Sequence, residues 1–127
     1  YVKIHSFHWN VTGSRFHELH LLFETLYTTL WAQVDDIAEH MRVLGDFAPK
    51  NLSEMVASTE IIEATTIPSD KDMVVMIEKD LSLLITSIQK AADIAGENQK
   101  KELEGFLLEL STGHQKTLWM IRSGQGA

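Results

Sequence analysis

Cysteine is absent from the 127 residues. That excludes disulfide frameworks, thiolate zinc sites and cysteine nucleophiles, and a reducing cytoplasm fits the composition. Basic charge is scarce: 11 Lys and Arg stand against 18 Asp and Glu, a net charge of −7 with His neutral. An acidic chain of this kind does not coat nucleic acid or anionic lipid through its own charge. Long apolar runs are missing too, since the most apolar short stretch, Met73 to Ile77, is far below the roughly 18 residues of a membrane span. Tyr1 opens what already reads as helix, with no basic leader before it, so the true N-terminus is expected to lie upstream. Only two prolines and seven glycines interrupt the chain, which leaves long segments free to be helical. The length is that of one domain, taken here as residues 1–127.

Within those segments the apolar residues keep a helical period. Leu19, Phe23, Leu26, Leu30, Ile37, Met41 and Leu44 predict a helix from Phe16 to Leu44, with Gly45 as its stop. Ser69 and Asp72 form a capping-box pattern after Pro68, and Met73, Ile77, Leu81, Leu84, Ile88, Ala91 and Ala95 carry a second long helix to Gly96. From Glu97 to Arg122, Leu103, Leu107, Leu110, His114, Leu118 and Ile121 continue the same period as a third. Tyr1 to Trp9 reads as the truncated end of a fourth, and Asn51 to Glu60 as a short helix inside the long connection to Pro68. Four helices with one long crossover predict an all-α chain with the ferritin-like four-helix bundle architecture.

The first long helix has a second face. Its core stripe centres on Leu26 and Ile37, and roughly 150° away another stripe carries His20, Glu24, Trp31, Asp35 and Glu39, bordered by Tyr27. His20 and Glu24 are four apart, as are Asp35 and Glu39, so each pair has the spacing to grip one ion. The pair centres lie about 22 Å apart along the axis, so a straight helix cannot join them. A second copy crossing antiparallel about a two-fold axis near Thr29 and Leu30 brings His20 and Glu24 of one chain to Asp35 and Glu39 of the other, giving two equal sites per dimer. His8, joined through the Asn10 to Ser14 turn, adds nitrogen. Two imidazoles and three carboxylates without a thiol suit iron, manganese, cobalt or zinc. The Glu-x-x-His pattern of a di-iron site within one bundle is missing from both later helices, which again assigns the site to a boundary between chains.

Blander readings compete with this one. A single helical carboxylate is usually a solvated charge. His114 reads as a satisfied core residue, His40 likewise, and His5 as support for His8 or plain solvation ahead of a metal clamp. Trp119 reads as packing, and Met55, Met73, Met76 and Met120 as core filler. The whole second stripe is also open to reading as a mere dimer contact with charged edges.

The stretch His5-Ser-Phe-His8-Trp9-Asn10-Val-Thr-Gly13-Ser-Arg-Phe16-His-Glu-Leu-His20-Leu-Leu-Phe23-Glu24 resembles the signature of Dps-like proteins, the mini-ferritins of bacteria. Asp35-Asp-Ile-Ala38-Glu39 and His114-Gln-Lys116-Thr-Leu-Trp119-Met120 are similar to further motifs of that family, in the same order. The resemblance implies a hollow homo-dodecamer with ferroxidase centres at its two-fold interfaces. His8, His20 and Glu24 of one chain and Asp35 and Glu39 of its neighbour match the ligand positions, with Trp9 beside the metal and two iron ions, Fe2+ passing to Fe3+, per site. It implies Fe(II) and hydrogen peroxide as substrates and ferric mineral stored within the shell, in the cytoplasm or at the nucleoid. Departures are His40, where the family often has Arg, and Gly105, where an acidic pore residue is common; Glu102 and Glu104 stand nearby. The alternatives are a DNA-binding, nucleoid-protecting cage that gains its basic charge from an N-terminal tail, and a zinc or manganese buffer without redox turnover.

Overall fold

The computed structural model describes residues 1–126. Five helices, α1 (Val2–Asn10), α2 (Phe16–Val43), α3 (Leu52–Ser58), α4 (Asp70–Glu97) and α5 (Lys101–Gly124), make up its regular structure, and the described residues contain no strand. Two compact units divide the chain, Tyr1–Met73 and a second beginning at Val74.

In the first unit α1 packs on α2. Ile4, Phe7, Val11, Leu19 and Phe23 are buried, and the Phe7 and Phe23 rings meet at 6.3 Å. The reversal between the helices rests on Gly13, whose φ of +109° is open to a residue without Cβ at little cost. The Phe16 N–H donates back to the Gly13 carbonyl at 3.1 Å. This tight turn sets the last turn of α1 beside the first turn of α2. At the other end α2 stops where the sequence predicts: Leu44 is the cap, Gly45 takes φ +93°, and the Asp46 N–H closes on the Met41 carbonyl. In α3 the Asn51 side chain accepts from the Glu54 N–H at 2.9 Å, while Glu54 reaches back to the Lys50 N–H at 3.0 Å. Ser69 caps α4, accepting from the Asp72 N–H at 3.2 Å and donating its hydroxyl to the Asp72 carboxylate at 2.7 Å.

The second unit is held by Ile88, Ala92 and Ala95 of α4 against Leu107 and Leu110 of α5, flanked by Leu84, Leu103 and Phe106. Glu78 on α4 accepts from Arg122 Nε at 2.8 Å and from Gln125 Nε2 at 2.9 Å, and the Arg122 bond is the main reason its carboxyl is held below the ordinary value. His114 lies buried on α5, as predicted, and burial depresses its imidazole below the usual 6.5. The unfolded chain then binds the proton more readily than the folded one, so this group withdraws stability as pH falls through 6.5 toward the depressed value. The denaturant midpoint should therefore drop more between pH 7.5 and pH 5.5 in the wild type than in His114→Leu. Equal drops would contradict this account.

Several sequence expectations are corrected. Gly96 does not end α4: the helix runs on through Glu97, and the left-handed residue is Gln99 at φ +58°. A Cβ at Gly96 would come within 2.9 Å of the Glu104 carboxylate, the far end of a flexible side chain. The next helix accordingly starts at Lys101, not Glu97. Ile37, placed at the centre of the core stripe, is 38% exposed. Trp119, Met55 and Met120 are also exposed rather than packed, whereas Met73 is fully buried. Periodicity identifies an apolar face but not whether the same chain covers it.

Candidate metal centre

His8 ends α1 and His20 lies in the second turn of α2, and the Gly13 turn brings them face to face. Their rings stack at 3.7 Å with planes 20° apart. Each imidazole then bonds the other's backbone: His8 Nδ1 lies 2.8 Å from the His20 carbonyl, and His20 Nδ1 lies 2.8 Å from the His8 carbonyl. A carbonyl oxygen only accepts, so both Nδ1 atoms carry the proton, and in each neutral ring the lone pair sits on Nε2. That is the tautomer a metal-binding imidazole needs, fixed by a carbonyl partner behind it. His8 is buried and His20 half-buried, so the pair is held rather than freely rotating.

Stacking decides what the pair can ligate. A bound ion lies about 2.1 Å from an imidazole nitrogen, in or near the plane of the ring. Nearly parallel rings 3.7 Å apart have no common in-plane position at that range. The two rings are thus not placed to share one ion.

Glu24 follows His20 by one turn and is exposed. Asp35 and Glu39 are exposed further along the same helix, and among the described residues neither has a hydrogen-bond or ion-pair partner. Trp31, between the two pairs, is 63% exposed. Because α2 is one unbroken helix from Phe16 to Val43, the distance of about 22 Å between the pairs stands. Among the described residues no three His, Cys, Asp or Glu side chains gather to hold an ion within one chain. The structure thus joins His8 to His20, carries Glu24 beside them, and leaves Asp35 and Glu39 apart.

Two features around the pair escaped the sequence reading. His5 is stacked on Tyr27 at 3.9 Å and on Trp9 at 4.1 Å, and its Nδ1 bonds the Tyr1 hydroxyl at 2.9 Å. Tyr27 in turn meets His8 edge-on at 5.0 Å. The three-residue spacing of His5 and His8 signals a shared face, but the cross-helix stack depends on how α1 lies on α2. Trp9 itself is 64% exposed.

A family model for the ferritin-like domain matches residues 1–124. The chain is 33% identical to a DNA protection during starvation protein of Brevibacillus brevis, over 97% of this chain and 83% of that one. It is 28% identical to general stress protein 20U of Bacillus subtilis, covering 99% and 87%. Among solved structures, a Dps protein from Bacillus brevis superposes with a TM-score of 0.95 at 32% identity, covering 98% and 83% of the two chains. Dps from Staphylococcus aureus gives 0.92 at 30% identity, covering 96% and 82%. A match over nearly the whole chain, with the all-α fold and about a third of positions shared with a relative, means that this chain belongs to the ferritin-like family and is Dps-like.

Proposed function

We propose that this chain is the subunit of an iron-storing shell that oxidises Fe(II) to Fe(III), with hydrogen peroxide as the preferred oxidant. The observation that carries this reading is the His8 and His20 pair, whose protons are committed to backbone carbonyls and whose stacked rings are not placed to share one ion. Asp35 and Glu39 of a two-fold partner complete the site. An antiparallel crossing of two α2 helices centred between Thr29 and Leu30 opposes His20 to the partner's Glu39 and Glu24 to the partner's Asp35. The same crossing covers Trp31, which the single chain leaves exposed.

Iron is the substrate. His8, His20 and Glu24 of one chain, with the partner's Asp35 and Glu39, hold two ferrous ions close together, and their negative charge favours the ferric product. Each ferrous ion gives one electron, and the O–O bond of peroxide takes both. With two waters the products are two FeO(OH) and four protons, so no one-electron fragment of peroxide is released. Ferric product then collects as mineral inside a closed shell, which the resemblance makes a dodecamer in the cytoplasm. Relatives named for DNA protection fit this chemistry, since removing ferrous iron and peroxide together shields DNA without touching it. The net charge of −7 favours that route over a DNA-coating cage.

Native mass together with oxidation stoichiometry tests the reading. A twelve-subunit mass and about one peroxide consumed per two ferrous ions are expected, with slower turnover under air. A monomer, or ions bound without oxidation, would overturn it and leave a metal buffer.

A further inference from the structure

We infer that Tyr27 is a positioning residue for the metal centre, holding the His8 ring from behind while His5 braces Tyr27. This rests on the metal-centre reading above and extends it to residues outside the ligand set. One ring of the pair is confined on two sides: His8 stacks on His20 at 3.7 Å, and Tyr27 meets it edge-on at 5.0 Å with planes 70° apart. An imidazole fixed by a single Nδ1 bond keeps a soft torsion about its Cβ–Cγ bond. The aromatic edge blocks that rotation, since an edge-to-face contact loses its attraction when either ring turns.

Tyr27 is itself held. Its ring lies flat on His5, 3.9 Å away and 11° from parallel, and His5 is tied to the Tyr1 hydroxyl at 2.9 Å. His5 also stacks on Trp9 at 4.1 Å, and Tyr1 meets Trp31 at 5.1 Å. The rings therefore form a continuous wall across α1 and α2. Tyr27 stands three residues after Glu24 and seven after His20 on α2, the helix face from which it reaches His8. His5 is engaged on its ring by Tyr27 and Trp9 and at Nδ1 by the Tyr1 hydroxyl. Its part is mechanical.

Cobalt(II) binding to the assembled protein, followed anaerobically by visible absorption, separates ring support from general stability. Tyr27→Phe keeps the edge and should bind cobalt within about twofold of wild type with the same band shape. Tyr27→Leu removes the edge and should weaken binding about ten- to a hundredfold, the scale of losing support behind a ligand, with altered bands while the native mass is unchanged. If Tyr27→Leu does not assemble, His5→Leu carries the same expectation. Wild-type affinity and bands in whichever leucine variant assembles would overturn the inference, provided that His20→Ala abolishes binding. If His20→Ala also binds as wild type, the metal-centre reading fails instead, and the inference with it.

Discussion

Ferrous oxidation should fall about a hundredfold or more when Asp35 and Glu39 are both replaced by Ala, while the subunit should keep its fold. Losing groups that only support a ligand costs roughly ten- to a hundredfold, so losing the two proposed ligands should cost at least as much. Stability moves the other way or not at all. Both side chains are exposed and, among the described residues, without partners. Surface changes of this kind stay within about 0.5 kcal/mol, and Ala is a better helix former than Asp or Glu. Stopped-flow oxidation under peroxide, set beside a denaturant titration, separates the two. Unchanged turnover would remove the acidic pair from the site.

The largest stability effect belongs to Phe23. Its side chain is fully buried and meets Phe7 across the α1 and α2 contact. Phe23→Ala should destabilise by about 3–5 kcal/mol, combining lost burial with the cavity left behind. Against a typical total of about 5–15 kcal/mol this is a large share. It also loosens α1 from α2, and the His8 and His20 pair exists only while those helices stay in register. Ferrous affinity should fall with stability in this variant, unlike in Asp35→Ala with Glu39→Ala. A loss below about 1 kcal/mol by denaturant titration would contradict the packing described for this ring.

Much of the backbone was legible because the stops are chemical. Gly45 ends α2 in a left-handed turn, Asn51 and Ser69 cap their helices, and Gly13 permits the reversal. Where the stop was not a glycine, the reading slipped. The helix expected to end at Gly96 runs on through Glu97, and it is Gln99 that adopts the left-handed conformation. The exposure of Ile37, Trp119, Met55 and Met120 was not legible either, since a helical period is the same whether the covering surface comes from this chain or another.

The candidate site divides in the same manner. The four-residue spacings of His20 with Glu24 and Asp35 with Glu39 are properties of one helix, so sequence alone reveals them. The reciprocal bonds of His8 and His20 are not, because they depend on two helix ends meeting across a turn. Tyr27 was visible only as a border residue of the stripe, and its stack on His5 needs the same meeting of α1 and α2.

Mixing two inactive subunits tests the sharing of the site between chains most directly. One carries His20→Ala with Glu24→Ala, the other Asp35→Ala with Glu39→Ala, and each alone should be inactive. In a mixed dimer one site takes all four defects and the other takes none. Random co-assembly of equal amounts should then restore about a quarter of the wild-type oxidation rate per subunit, because half of the dimers are mixed and each has one intact site. No recovery in shells shown by mass to contain both subunits would mean that all the ligands act within a single chain.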